Sequence, residues 1–196
     1  MSRVATINRK TAETDIKLTL DLDGRGKSTI NTGSGFLDHM LTLFARHGRF
    51  DLDISCDGDV DVDYHHTTED IGICLGLAFK EALGDKKGIE RYGSTILPMD
   101  EALILTALDF SGRAYLGYDL KLTQKSVGTF DTELIEEFWW AVVRNAECTF
   151  HIKQLEGKNT HHIIEGAFKS AGRTFKKAVT IDENFKDEVP STKGVL

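Results

Sequence analysis

Proline is almost missing from this chain: 2 residues in 196. That excludes proline-rich and collagen-like segments. Cysteine is scarce too, and Cys56, Cys74 and Cys148 stand apart with no C-x-x-C. Neither a disulfide framework nor a cysteine zinc site is available, which fits a reducing compartment. No apolar run approaches the roughly 18 residues needed to span a bilayer. The first residues, MSRVATINRKTAETDIK, lack the apolar stretch of a secretory signal. A soluble, cytoplasmic protein with no membrane partner is expected. Positive charge is also in deficit, with 24 Lys+Arg against 31 Asp+Glu and a net charge of −7. A general nucleic-acid binder needs a basic footprint, so no nucleic-acid partner is expected. A local basic pocket for a small phosphate is still compatible with that balance.

What is present is ordinary for a folded protein: 40% hydrophobic and 28% charged residues, which excludes wholesale disorder. The length predicts one domain, or two small halves sharing a core. Ile16, Leu18, Leu20 and Leu22 alternate with polar residues, the period of a half-buried strand. Phe36, Leu37, Met40, Leu41, Leu43 and Phe44 recur at helical spacing, with Gly48 as the expected stop. Leu52, Ile54 and Cys56 predict another strand, and Asp57 to Asp63 an acidic loop. Thr67 or Thr68 is the expected cap of a helix running to about Leu83 and closed by Gly84. In the second half, Leu103–Phe110 and Ala114–Leu122 read as strands joined at Ser111-Gly112. Leu134 to Val143 reads as an amphipathic helix, Thr149–Leu155 as a strand, and Thr160 as the cap of a last helix.

Both halves therefore end as helix, strand, loop, helix, and both final helices open on one signature. These are His65-His66-Thr67-Thr68-Glu69 and His161-His162-Ile163-Ile164-Glu165. The pattern predicts an internal duplication within a single domain, over about 4–86 and 89–182, followed by a tail at 183–196. The expected class is α+β and pseudo-symmetric.

The two H-H-x-x-E motifs carry the chemistry. Residues three or four apart share a helix face, so each glutamate stands beside a histidine of its own motif. Adjacent histidines diverge by about 100° on a helix, which favours two metals with each histidine of a pair serving a different one. Imidazole with carboxylate suits manganese, iron, zinc or nickel. His39, among Leu37, Met40 and Leu41, and His151, opposite Phe150 and Ile152, extend the set to six histidines and two glutamates. That is enough for two sites of three His and one Glu. A single histidine on an apolar helix is usually a packed or surface residue. Two matched motifs in a duplicated frame are harder to explain that way.

Other motifs fail on inspection. Gly26-Lys27-Ser28 ends like a P-loop, but position 21 is Asp, not Gly. Asp59 to Asp63 resembles a calcium loop, but its sixth and twelfth positions are Tyr64 and Asp70. Gly33-Ser34-Gly35 lacks the third glycine of a dinucleotide fingerprint, and no H-E-x-x-H is present.

A further set of motifs runs in order along the chain: Gly35-Phe36-Leu37-Asp38-His39-Met40, Phe44-Ala45-Arg46-His47-Gly48, His65-His66-Thr67-Thr68-Glu69-Asp70, Pro98-Met99-Asp100-Glu101-Ala102, Ser111-Gly112-Arg113, His161-His162-Ile163-Ile164-Glu165 and Ser191-Thr192-Lys193-Gly194. On these the chain resembles the imidazoleglycerol-phosphate dehydratases of histidine biosynthesis, in their monofunctional form. The resemblance implies two β-sheets with helices packed between them. It implies two Mn²⁺ per active site (other divalent ions being compatible) and self-association of trimers into a hollow 24-subunit particle with sites at subunit contacts. The implied ligands are His39, His65, His66, Glu69, His151, His161, His162 and Glu165, the set already reached from spacing. The expected division places His39, His66, Glu69 and His162 on one ion and His65, His151, His161 and Glu165 on the other.

The implied reaction is dehydration of imidazole glycerol phosphate to imidazole acetol phosphate. The expected route runs through a metal-bound imidazolate and a diazafulvene-like intermediate, in which an electron-rich ring expels the neighbouring hydroxyl. Glu13 is the nominated acid–base group, with Glu69 and Glu165 as further catalytic carboxylates. Arg91, Arg113, Lys169 and Lys193 are the expected phosphate cations, with Ser191 and Thr192 beside them. His47, along with His39, His65 and His161, is expected to touch substrate. The tail reads as disordered from its composition, whereas the resemblance makes it a lid over the substrate. Two other readings compete: a binuclear phosphate-ester hydrolase, disfavoured by the histidine-rich ligand set, and a module in which metals only staple subunits.

Overall fold

The computed structural model describes residues 3–196. The first repeat runs β1 (Val4–Lys10), β2 (Thr14–Asp21), β3 (Ser28–Asn31), α1 (Gly35–Gly48), β4 (Asp51–Gly58) and α2 (His65–Leu83). The second runs β5 (Tyr92–Met99), β6 (Ala102–Asp109), β7 (Tyr115–Asp119), the short pair β8 (Ser126–Val127) and β9 (Phe130–Asp131), α3 (Leu134–Ala146), β10 (Thr149–Glu156) and α4 (Thr160–Val179). The two main sheets have matching orders, β1-β2-β4-β3 and β5-β6-β10-β7. In each, the last-numbered strand of the repeat pairs antiparallel on one side and parallel on the other. The duplicated α+β architecture expected from the sequence is the one observed.

Register follows the alternation. Leu18 stands opposite Ile54 and Leu20 opposite Leu52, putting the apolar residues of β2 and β4 on one face. That face meets α2, which also packs on α3. Equivalently, α4 covers β5 and β6 and packs on α1. The helices thus form the middle layer. Its centre is aromatic: Trp139 has ring centroids 5.0 Å from Phe168 and 5.1 Å from Phe150, and Phe79 lies 4.9 Å from Phe175. One polar contact interrupts this core. The Thr106 hydroxyl on β6 shares hydrogen bonds with Ser170 (2.7 Å) and Thr174 (2.6 Å) of α4, so all three buried groups are satisfied.

Several local expectations are corrected. The strands around Ser111-Gly112 exist but do not pair, because β10 is inserted between β6 and β7. The strands β1, β3 and β5 lack a clean apolar alternation. Pro98 is tolerated because β5 is an edge strand, with no ladder bond to lose on its outer side. The helix α2 starts at His65, so Thr67 and Thr68 lie buried inside its first turn. Tyr64 is the N-cap, and Asp63 just before it accepts from the His65 amide at 2.7 Å. Asn159, not Thr160, caps α4 by accepting from the His162 amide. Gly48 is the last residue of α1, as expected, but the left-handed turn that follows is taken by Arg49 with φ 53. Gly48 is there for space, since a Cβ would meet the Phe50 ring at 2.5 Å and the Gly172 carbonyl at 2.9 Å.

The tail is not a free end. The Gly88 amide donates to the Glu188 carbonyl at 2.8 Å, and Arg91 Nη1 donates to the Pro190 carbonyl at 2.8 Å. Composition misses this because the partners, the Gly88 amide and the Arg91 guanidinium, lie about 100 residues away in sequence.

Candidate active site

The α1–α4 packing brings together the first group of candidate residues. His39 projects from α1, and His161 and Glu165 lie one turn apart on α4. Their ligating atoms all fall within 4.8 Å of one another. Glu165 Oε2 is 3.1 Å from His161 Nε2 and 3.5 Å from His39 Nε2. Its other oxygen, Oε1, accepts from Lys169 Nζ at 2.5 Å. Burial pushes the Glu165 carboxyl up, but Lys169 and His161 outweigh it and hold the group below its usual range. Two imidazole nitrogens and an ionised carboxylate oxygen form a donor set that suits a divalent transition ion.

Within one chain the expected ligands fall into separate groups. His39 stands beside His161 and Glu165, while His66, Glu69 and His162 lie elsewhere in the chain. The remaining candidates are not gathered within one chain. His66 lies at the start of α2, its Nδ1 2.9 Å from Asp59 Oδ2 and its Nε2 3.6 Å from Glu13 Oε1. His162 Nδ1 is 2.7 Å from Glu101 Oε2, and its Nε2 is 3.8 Å from Asp100 Oδ2. The His162 hydrogen bond and the amides of Asn159 and Lys158 hold the Glu101 carboxyl at about 2. His65 and Glu69 are half-buried on α2 near His66. The two histidine motifs are separated by an aromatic chain, Phe36, Phe130 and Tyr64, with His161 packed against Phe36 at 5.4 Å. Asp59, Asp100 and Glu101 were not singled out from the sequence. The only signal for them was their place in the acidic loop and in the Pro98–Ala102 motif.

His151 sits apart, exposed on the open face of the second sheet. It lies over Gly117, where a Cβ would stand 2.3 Å from its Nδ1, and beside the Tyr115 ring at 5.4 Å. Here β7, β10 and β6 form a shallow groove of about 580 Å³ that includes Tyr115, Gly117, His151 and Lys153.

The expected phosphate residues also divide. Lys169 belongs to the Glu165 group. Arg91 is gripped by Asp109 (Nε to Oδ1, 2.7 Å) as well as by the tail. Ser191, Thr192 and Lys193 follow in that tail, and the C-terminal Leu196 lies 3.1 Å from where a Cβ of Gly112 would stand, beside the exposed Arg113. Because the Arg91 amide donates to the Ala178 carbonyl, this cluster lies at the far end of α4 from His161. The helix between them is about 25 Å long at ~1.5 Å per residue.

Along α4, His161, Glu165, Lys169, Arg173 and Lys177 recur every four residues, so each is the neighbour of the next and the series winds round the helix by about 40° per step. At its basic end, Arg46, His47, Arg49, Arg173, Lys176 and Lys177 line a cleft of about 690 Å³. Burial, then Lys169 and Arg173, push the His47 imidazole below its usual value, so it is neutral near pH 7.

Comparison with known proteins resolves the family. The imidazoleglycerol-phosphate dehydratase family model matches residues 32–175. The chain belongs to the imidazoleglycerol-phosphate dehydratase family. The dehydratase of Acetivibrio thermocellus is 56% identical over 196 residues, covering 100% of both chains. That of Oceanobacillus iheyensis is 57% identical over 194 residues, covering 99% of this chain and 100% of the relative. The crystal structure of imidazoleglycerol-phosphate dehydratase from Staphylococcus aureus superposes with a TM-score of 0.84 at 45% identity, covering 91% of this chain and 99% of that one. The Pyrococcus furiosus structure does so with a TM-score of 0.84 at 41% identity, covering 97% and 100%. As a member of the imidazoleglycerol-phosphate dehydratase family, the chain is a hydro-lyase. No helix among its described residues is long and apolar enough to cross a membrane.

Proposed function

We propose that this dehydratase converts imidazole glycerol phosphate to imidazole acetol phosphate in histidine biosynthesis. The observation that carries the metal-dependent form of this reading is the convergence of His39, His161 and Glu165 within 4.8 Å. Three donors leave open positions for substrate on a six-coordinate ion. A divalent ion held there, Mn²⁺ in this reading, supplies Lewis-acid polarisation of the substrate's imidazole. The proposed ligand set remains the eight residues named from the sequence, serving two ions per complete site.

The chain's own residues supply the rest. Lys169 keeps Glu165 ionised and therefore fit to accept. Glu13, 3.6 Å from the His66 ring, is placed on a turn beside the motif and is the proposed proton carrier. It takes the proton from the carbon next to the phosphate arm; that proton and the ring-adjacent hydroxide leave together as water, and the enol formed tautomerises to the ketone. Arg91, Arg113 and Lys193 bind the phosphate, with hydrogen bonds from Ser191 and Thr192. Asp109 holds the Arg91 guanidinium in a fixed orientation, so less side-chain freedom is lost on binding. His47 and His65 contact substrate as hydrogen-bonding groups.

The separation of these parts favours a site shared between copies. The phosphate cluster stands about 25 Å from His161 by the length of α4, too far for one three-carbon substrate to bridge. His151 faces outward on a sheet that a second chain can cover. A complete site then takes the Glu165 group from one subunit and the His151 and tail groups from another. Self-association into trimers and a 24-subunit particle in the cytoplasm follows this reading.

The test is turnover of imidazole glycerol phosphate by chelator-stripped protein with and without Mn²⁺, followed alongside particle mass. Turnover restored by Mn²⁺ supports the reading. Assembly restored without turnover would replace it with a purely structural role for the metal.

A further inference from the structure

We propose that Asp59 and Glu101 are positioning residues, each holding a motif histidine by Nδ1 so that Nε2 is the nitrogen presented to a metal. This rests on the reading above that His66 and His162 are ligands. A neutral imidazole carries one donor and one acceptor nitrogen. An ionised carboxylate only accepts. Asp59 Oδ2 at 2.9 Å from His66 Nδ1, and Glu101 Oε2 at 2.7 Å from His162 Nδ1, therefore place the ring proton on Nδ1 in both cases. The lone pair is left on Nε2, the nitrogen with no hydrogen bond, which has Glu13 Oε1 at 3.6 Å in His66 and Asp100 Oδ2 at 3.8 Å in His162. Metal-bound histidines are commonly oriented and made more basic in this way.

The two repeats reach this arrangement from different places. Asp59 comes from the loop between β4 and α2. Glu101 comes from the turn between β5 and β6. In the first repeat the equivalent hairpin turn, between β1 and β2, carries Glu13, which approaches Nε2 of His66 rather than Nδ1. Duplication alone would have put the same group at the same position. Instead, equivalent atoms of equivalent histidines are met by carboxylates of separate origin, which points to a shared requirement. Glu101 is itself fixed: its Oε1 accepts from the backbone amides of Asn159 at 2.8 Å and Lys158 at 3.2 Å. That leaves Oε2 as the oxygen aimed at His162.

This geometry gives a sharp variant. Glu101→Gln keeps a carbonyl oxygen for the two amides and turns an N–H₂ donor toward Nδ1, which selects the wrong tautomer. Mn²⁺ affinity of the full-length assembled protein is measured by chelator competition, together with the visible d–d spectrum after Co²⁺ loading. The expected result is a loss of about 10- to 100-fold in Mn²⁺ affinity for E101Q, E101A and D59A, with a changed Co²⁺ spectrum. A role confined to the 158–159 turn predicts parental affinity and spectrum for E101Q. Affinity within about twofold of the parent in E101Q, with an unchanged spectrum, overturns the proposal. Should the alanine variants fail to fold, E101Q alone decides it. H162A separates the two levels. If it binds Mn²⁺ like the parent, the ligand reading falls. If it loses Mn²⁺ while E101Q does not, only the positioning role falls.

Discussion

Replacing Gly172 by alanine sets two effects of opposite sign against each other. In an isolated helix the change is favourable by about 1 kcal/mol, because glycine is the poorer helix former. Here Gly172 lies where α4 crosses α1. A Cβ would meet the Phe44 carbonyl oxygen at 2.5 Å and the Gly48 amide nitrogen at 3.0 Å. Ordinary contact begins near 3.4 Å, and both neighbours are backbone, so they cannot swing aside. The helices must part by about 0.9 Å to relieve the first contact. A radial gap of 0.5–1 Å already forfeits about a quarter to a half of each dispersion contact, and Phe44, Phe168 and Phe175 all pack along this crossing. Overpacking of this kind costs about 1–3 kcal/mol. With the upper part of that range set against the helix gain, the net loss is about 2 kcal/mol. For a chain of this size that lowers Tm by about 4–8 °C. The assay is thermal unfolding of chelated protein at one fixed concentration, since any self-association makes Tm concentration-dependent. Gly35→Ala is the control, because nothing stands within 4 Å of its Cβ position. The same parting would widen the 3.5 Å approach of His39 to Glu165, so Mn²⁺ affinity should fall as well. A Tm for Gly172→Ala equal to or above the parent would refute the close-crossing explanation.

Three further outcomes are expected. Burial raises the thiols of Cys74 and Cys148 to about 12 and of Cys56 to about 11, so iodoacetamide at pH 8 should leave all three unlabelled in native protein and label all three after denaturation. Rapid labelling of any one in the native state would show that its burial is misjudged. Glu101, held at about 2 against an ordinary 4.5, contributes stability that is complete above pH 4.5 and is lost as pH falls toward 2. The Tm difference between the chelated parent and E101Q should therefore narrow from pH 5 to pH 3, and a difference constant across that range would contradict the assignment. Truncation before Ser191 should raise KM for the phosphate substrate several-fold; an unchanged KM would remove the tail from the phosphate site.

Much of this molecule was legible in one dimension. The H-H-x-x-E motifs stand out because their spacing repeats. The middle helices are legible because Phe36–Phe44, Leu134–Val143 and Ile163–Phe175 keep helical periodicity over several turns. Strands failed where the pattern failed: β1 and β3 offer little alternation, and β5 contains a proline that only an edge position permits. The caps at Tyr64 and Asn159 lie one to four residues before the expected ones, because Thr67, Thr68 and Thr160 are equally plausible cap residues in sequence. Asp59 and Glu101 could not be paired with His66 and His162, since each contact depends on where a turn closes.

The sequence by itself determined the family, the duplicated frame and the chemistry of the donor set, because those depend on residue type and local spacing. Only the tertiary structure decided which donors meet. His39 and Glu165 are 126 residues apart yet 3.5 Å distant, because α1 and α4 cross at two glycines. His151 and the tail, equally prominent in sequence, face elsewhere. Proximity across a packed layer follows from helix crossings and sheet order, and no periodicity along the chain encodes it.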